Sequence, residues 1–308
     1  MSADNWQHTV FSLLAPDAFR RHLAGRVLDR LTTAGGLTVT GWVEVLVTGR
    51  QVDAVAQIQH VGAGQAFRYR ALDAIFALGP AVALRLEDTA GRPAEQLYRD
   101  IKQMKGASAP ADARPGTIRH DLGSVNAVLS LLHVSDSPAN AARESAAILR
   151  ADPDGAPAGE LFGPADALPG YLLARQVGTP VETRGHREVV AAVRARVAAR
   201  LWGVLPAAAR DEVTGLAATG GLGDPDAGMR IAELAGPVPG DGLIAVLRAD
   251  YGAGPAALDP DELDLLLRRH RIGLDAWERV VLATSQYFTA AAAPRTASAH
   301  PERSISVR

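Results

Sequence analysis

The chain of 308 residues carries a formal net charge of -2, with 47% hydrophobic and 21% charged residues. This is about twice the usual domain length, so we expect two domains, and the charge balance argues against nucleic acid or a membrane surface as the main partner. The absence of cysteine excludes disulfides, thiolate catalysis and cysteine-bound metal. The N-terminal stretch lacks the basic region of a signal peptide and no apolar run is long enough to span a bilayer, which predicts a cytoplasmic protein.

The first half of the chain alternates strand-like and helix-like segments. A helix with an N-cap at Asp17 is predicted after the first strand, because Phe19, Leu23, Val27 and Leu31 recur at four-residue spacing. Short apolar or β-branched runs between turn formers predict strands at residues 9–14, 36–47, 81–87 and 127–132. Further helices are predicted at residues 51–61, 67–78, 93–106 and 137–150. This order predicts helices packed on a sheet, with residues 1–150 as one domain.

The second half has a different pattern. Residues 151–184 are dense in Gly, Pro and Asp, which is typical of a connector, with one short helical turn near "GYLLARQV". Helical spacing from His186 onward, with caps at Asp261 and Asp275, predicts a small all-α domain over 185–290. The glycine-rich stretch 219–228 fits no nucleotide-binding fingerprint and is predicted to be a turn between helices. Residues 291–308 have no apolar periodicity and are predicted to be a disordered tail.

A histidine at the end of an apolar run is the main candidate for chemistry. His133 follows "AVLSLL" and precedes the helix-start signal "SDSP". A neutral imidazole has a free lone pair and can act as a nucleophile toward phosphorus. Phosphoryl transfer also needs cations and hydroxyls around the phosphate. The irregular stretch 107–126 and the segment before it supply such groups: Lys102, Lys105, Ser108, Arg114 and Arg119. The alternative is a histidine satisfied by backbone groups at an element boundary.

Four ordered motifs in residues 8–149 resemble the nucleoside diphosphate kinase family. They are "PDA" after the first strand, "GP" before the third, "PADARPGTIRHD" in the long loop and "HVSDSPANAARE" at the end. The resemblance implies a ferredoxin-like α/β sandwich that moves the γ-phosphate of a nucleoside triphosphate to a diphosphate through phosphohistidine. It assigns the carrier role to His133, with Ser135 and Glu144 orienting the imidazole.

The same resemblance implies a set of nucleotide-binding positions. Arg119 would face the phosphates, Lys102 stands where the family has an arginine, and Ser108 where it has a threonine. His60 falls near the family's active-site tyrosine, and Ser130 takes the place of an asparagine. The implied cofactor is Mg²⁺ brought in with the nucleotide, since no spaced metal-ligand signature is present. The implied partners are a nucleoside tri- or diphosphate, or another small-molecule phosphate acceptor, and further copies of the chain in a homo-oligomer.

Three departures from the family pattern affect the functional interpretation. Ala15 replaces a lysine that contacts phosphate and sugar, Ser130 replaces the asparagine, and Val134 replaces a glycine. The chain is also one residue longer than the family pattern between Arg119 and His133.

These departures leave several possibilities for the site and its function. The basic residues considered as replacements for the lost lysine are Arg20, Arg21 and Arg68. Besides a phosphotransferase with a divergent acceptor, the sequence allows a non-catalytic nucleotide-binding or regulatory module. A weaker alternative is non-kinase chemistry on a nucleotide-like substrate, with His133 as general base.

Overall fold

The computed structural model describes residues 6–56, 72–149, 162–177, 184–237, 241–249, 251 and 260–288. Several positions of interest lie outside these ranges. They include His60 and Arg68, half of the predicted connector, and the predicted tail.

A four-stranded antiparallel sheet forms the centre of the first half. Its strands are β1 (Thr9–Leu14), β2 (Leu37–Val45), β3 (Ala81–Asp88) and β4 (Leu132–Val134). They lie in the order β2-β3-β1-β4, and each neighbouring pair runs antiparallel. Helices lie between consecutive strands along the chain, and the last strand, β4, pairs with the first, β1. This is the ferredoxin-like sandwich that the sequence predicts, and the fold class is confirmed.

The helices of this half pack their apolar sides on the sheet. In the helix that follows β3, Leu97, Tyr98 and Ile101 are buried at three- and four-residue spacing, and Gly106 ends the helix with φ +84°. Residues 72–76 form a further helical turn. Besides this turn, the described α-helices of this half are α1 (Pro16–Arg20), α2 (Ala24–Asp29, continued by a π turn over Arg30–Ala34), α3 (Gly49–Ala56), α4 (Ala94–Lys105), α5 (Ile118–Asp121) and α6 (Pro138–Leu149).

Asp17 is not a helix N-cap, and this prediction was wrong. Helix α1 begins at Pro16, so Asp17 lies inside its first turn. The carboxyl group points inward instead, is fully buried, and accepts a hydrogen bond from the backbone N–H of Leu131 at 3.1 Å. The tertiary contact with the chain before β4 therefore decides the role of this residue.

The predicted fourth strand at residues 127–132 was also wrong. The structure has an irregular turn there, and β4 begins only at Leu132. The side-chain oxygen of Asn126 accepts hydrogen bonds from the N–H groups of Val128 and Leu129, which closes the turn. Leu131 has φ +74°, which no strand residue adopts. As a result His133 is the central residue of β4, opposite Leu13 of β1, and not a residue beyond a strand end.

The second half is helical, as predicted. Its helices are α7 (Leu168–Arg175), α8 (His186–Leu201), α9 (Ala207–Thr219), α10 (Ala227–Ala235), α11 (Asp241–Arg248), α12 (Pro260–Arg269) and α13 (Ala276–Phe288). The cap at Asp275 is confirmed, because its Oδ1 accepts the N–H of Glu278 while Glu278 Oε2 accepts the N–H of Asp275. Helix α12 begins at Pro260, so Asp261 is not its cap. The glycine-rich stretch forms a 3₁₀ turn between α9 and α10. No helix in the described ranges is long and apolar enough to cross a bilayer.

Two hydrophobic cores hold the molecule together, and one of them crosses between the halves. The first lies around the sheet. The second contains the buried faces of the C-terminal helices, and it also includes Ile75, Leu78, Val128 and Leu129 from the first half. The helical half therefore packs directly against the chain that leads into β4.

The burial of Asp17 predicts a pH dependence of stability. Burial raises the pKa of this carboxyl to about 6 from the ordinary 3.8. Because the pKa is higher in the native state, the protonated carboxyl contributes to the free energy of unfolding. That stabilising contribution is full below about pH 4 and is lost as the pH rises through 6. The non-titrating Asp17→Asn variant should gain up to roughly 3 kcal/mol in unfolding free energy relative to wild type over that interval. Urea unfolding at pH 4, 5, 6 and 7 measures this, and parallel curves for the two proteins would contradict it.

Candidate functional site

A histidine and a buried glutamate form the centre of the site. His133 is half-buried on β4. Glu144 is buried on α6, 11 residues further along the chain. The imidazole Nε2 lies 2.7 Å from Oε2 of Glu144, and the Ser135 hydroxyl donates to the same oxygen at 2.5 Å. Arg143 pairs with the other carboxylate oxygen at 3.1 Å. The structure therefore brings together His133, Ser135 and Glu144, the three residues assigned to the carrier role.

The protonation state of Glu144 determines which imidazole nitrogen is available. Burial by itself would raise the pKa of Glu144, but the hydrogen bond and charge of His133, the Ser135 hydroxyl and Arg143 bring the pKa below its ordinary value. The group is then a carboxylate and accepts the hydrogen bond, so Nε2 of His133 is the donor. The neutral ring consequently has its lone pair on Nδ1, and this atom has no hydrogen-bond partner within the described ranges.

His133 lines a cavity of about 220 Å³ at the end of the sheet. Among the described lining residues, the polar ones are Ser108, Arg119, Ser130 and His133. The rest are apolar and come from β1, β4, α3, α6 and residues 72–76 and 127–128, together with Ala15 and Val47 between elements. His133 thus borders a recess whose other polar lining residues supply two hydroxyl groups and one guanidinium, and the remaining side chains are apolar.

Arg119 is buried behind this wall and holds it together. Its Nη1 donates to the Gly106 carbonyl and the Ser108 hydroxyl, both at 2.9 Å. Its Nη2 donates to the Ser130 hydroxyl at 3.3 Å and the Leu132 carbonyl at 3.2 Å. Burial lowers the pKa of Arg119 to about 10, so the group stays charged at neutral pH. All four Nη hydrogens have protein acceptors, and a phosphate would have to replace one of these bonds.

Lys102 does not line the cavity of His133. It lies on the last turn of α4, beside a separate open depression of about 700 Å³ that it shares with Arg99 and Arg114. Lys102 therefore does not contribute to the lining of the cavity that contains His133.

The position of the missing lysine is not filled by a nearby arginine of the described chain. Ala15 lines the cavity with its methyl group. Arg20 donates to the Leu78 carbonyl at 3.2 Å, and Arg21 donates to the Gly123 carbonyl at 2.8 Å. Neither side chain lines the cavity. The other two residues that the sequence offered, His60 and Arg68, lie outside the described ranges.

Two polar residues near the site have buried structural contacts that the sequence did not reveal: Lys105, which the sequence offered as a cation for phosphate, and Asn126. Lys105 is buried, donates to the Val134 carbonyl at 3.1 Å and lies 3.5 Å from Asp136. Burial lowers its pKa, and Asp136 partly opposes that shift. Its spacing of four residues from the buried Ile101 indicates a core-facing position and could have revealed it. Asn126 is the second such residue, and its contacts with α13 have no local sequence signal.

The donor groups around the cavity do not match those that a magnesium ion requires. Mg²⁺ prefers carboxylate, phosphate and water oxygens. The described cavity lining contains no carboxylate, and the described part of the chain has no cluster of three or more His, Asp or Glu residues suited to a metal. These residues do not fit a metal held by the protein alone.

Comparisons with known proteins identify the first half. The family model "Nucleoside diphosphate kinase" matches residues 7–153. The nucleoside diphosphate kinase of Streptomyces avermitilis is 34% identical over 134 residues, which are 43% of this chain and 88% of that protein. The corresponding protein of Geotalea daltonii is 32% identical over 135 residues, covering 44% of this chain and 90% of that protein. The chain therefore belongs to the nucleoside diphosphate kinase family.

The crystal structure of an NDP kinase from Pyrobaculum aerophilum matches with 21% identity and a TM-score of 0.38. The match covers 47% of this chain and 97% of that one.

The hydrogen bond between His133 and Glu144 predicts one dominant tautomer. In the wild type, the ¹⁵N chemical shifts of the neutral His133 imidazole should show the Nε2–H form. In Glu144→Gln the neutral amide both donates and accepts, so a mixture of tautomers is expected. The matched control is Glu95→Gln on the exposed face of α4, which should leave the shifts unchanged. Identical His133 shifts in wild type and Glu144→Gln would contradict the assignment.

Proposed function

We propose that this protein is a phosphotransferase that carries a phosphoryl group on Nδ1 of His133. The donor is a nucleoside triphosphate, and the acceptor is a nucleoside diphosphate or another small phosphate compound. The observation that carries the proposal is the bond from Nε2 to the Glu144 carboxylate, which leaves the Nδ1 lone pair free on an imidazole that lines a cavity. Membership of the kinase family supports it.

The chemical step needs two bonds to change. The Nδ1 lone pair attacks the γ-phosphorus, an N–P bond forms, and the bond to the bridging oxygen breaks as the nucleoside diphosphate leaves with that electron pair. The ring then carries positive charge, which the adjacent Glu144 carboxylate stabilises while the proton stays on Nε2. An acceptor phosphate oxygen attacks phosphorus in the second step and regenerates the neutral imidazole. Any Mg²⁺ would be held by the phosphates of the nucleotide.

The lost lysine predicts a slower enzyme or a different acceptor. A charge-assisted hydrogen bond contributes about 1.5–3 kcal/mol, which corresponds to roughly ten- to a hundredfold in rate if it acts in the transition state. Ala15 and Ser130 remove two such contacts and leave the nucleophile in place. We therefore expect phosphorylation of His133 to persist while the preference among acceptors changes.

The direct test is labelling with [γ-³²P]ATP. Wild type should form an acid-labile, alkali-stable label, and His133→Ala should form none. His120→Ala serves as the matched control, since His120 lies on α5 outside the cavity lining. Glu144→Gln should label at least tenfold more slowly, because the charge that stabilises the phosphorylated ring is removed. Absence of label on the wild type would reject the proposal.

A second candidate, a nucleotide-binding module without turnover, has its own supporting observation. Arg119 donates all of its Nη hydrogens to the protein, and Lys102 lies outside the cavity. Calorimetry separates the two functions. The binding module predicts the same ATP affinity in wild type and His133→Ala together with no label. A chase of labelled protein with nucleoside diphosphates that removes the label would exclude it.

A further inference from the structure

Asn126 joins the two halves of the molecule through a fully bonded, buried amide. Its Nδ2 donates to Thr284 Oγ1 at 2.8 Å and to Ser285 Oγ at 3.1 Å, both on α13. Its Oδ1 accepts the N–H groups of Val128 at 2.9 Å and Leu129 at 2.8 Å. Asn126 is 1% exposed. An amide with this many buried partners fixes position, because each lost bond would leave a polar group unpaired in the interior.

The segment held in this way forms one wall of the candidate site. We call residues 125–131 the site loop. Ala127, Val128 and Ser130 line the cavity, and the loop leads without a break into β4 and His133. Arg119 donates hydrogen bonds to the Ser130 hydroxyl and the Leu132 carbonyl at the end of the loop. A shift of the site loop would therefore move both the cavity wall and the imidazole.

We call the hydrogen bonds from Asn126 to Thr284 and Ser285 the joint. Its α13 end is anchored in the helical core. Trp277, Val280 and Val281 of α13 are buried in the same cluster as Val128 and Leu129 of the site loop. The Thr284 hydroxyl also donates to the Val280 carbonyl, which orients its oxygen as an acceptor for Asn126. The site loop thus packs on a helix that is itself held by the second half.

We propose that α13 positions the site loop for phosphoryl transfer, with Asn126 as the positioning residue at the joint. This rests on the proposed function, because it concerns the same cavity and the same nucleophile. The turn of the site loop is closed by Asn126 and not by strand pairing. The helical half then supplies a constraint that the sheet does not provide. A misplacement of about 1 Å between reacting atoms reduces rate by on the order of a hundredfold.

Two variants remove the joint from opposite sides. Asn126→Ala deletes the amide, and Thr284→Val/Ser285→Ala deletes its partners on α13 while leaving the site loop sequence intact. Each should lower the rate constant for His133 phosphorylation by ATP at least tenfold, with less than a threefold change in the half-saturating ATP concentration. The split is expected because the joint acts on alignment and contacts no ligand.

The control separates positioning from stability. Val193→Ala removes a buried side chain of α8 in the helical core and leaves every hydrogen-bonding group of Asn126, Thr284 and Ser285 in place, and it should lower Tm while leaving the labelling rate within twofold. A second readout does not require activity: carbethoxylation of His133, followed by mass spectrometry. Its rate should change at least threefold in both joint variants, while the exposed His120 in the same molecule should react as in wild type.

The outcomes distinguish this proposal from the proposed function. Joint variants that label at the wild-type rate, or that are slowed no more than Val193→Ala at the same loss of Tm, overturn the positioning role. If the wild type forms no label, the phosphotransferase proposal fails. The carbethoxylation rates then decide by themselves whether α13 positions His133, and unchanged rates overturn it.

Discussion

The site depends on a single buried carboxylate with three hydrogen-bond donors. One carboxylate oxygen of Glu144 accepts hydrogen bonds from Nε2 of His133 and from the Ser135 hydroxyl, and the other accepts one from Arg143. Burying a charge costs free energy unless partners compensate, and these three groups provide the compensation. The same bonds fix the tautomer of the imidazole, so the nucleophilic nitrogen is selected by the environment of a residue that does not itself contact the cavity.

The approach to β4 is the second constraint. Leu131 adopts φ +74°, which costs a residue with a side chain about 1–2 kcal/mol. The surroundings hold it there: its N–H donates to Asp17, and its carbonyl accepts the N–H of Ala15 at 3.0 Å. Asn126 closes the turn just before it and ties the turn to α13. The buried Asp17 and the distant helix α13 thus act on the same short stretch of backbone from two sides.

Sequence periodicity was reliable where one element buries one face. The first three strands lie within two residues of their predicted bounds, and the helical nature of the second half was correct. It failed at residues 127–132, where an apolar run is a buried turn and not a strand. The run is apolar because Val128 and Leu129 pack into the helical core, and nothing local distinguishes that burial from burial in a sheet. The N-cap prediction at Asp17 failed for a similar reason, since the partner of its carboxyl is more than a hundred residues away.

The sequence by itself determined the family, the sandwich fold and the nearness of His133, Ser135 and Glu144. These residues are close along the chain, and a strand followed by a helix brings them to one place. Tertiary structure decided the rest. Arg119 is bonded to the cavity wall, Lys102 lies apart from the cavity, and the helical half holds the site loop through Asn126. Each of these depends on which distant groups share a buried volume, and that is set by the packing of the whole chain and not by any local pattern.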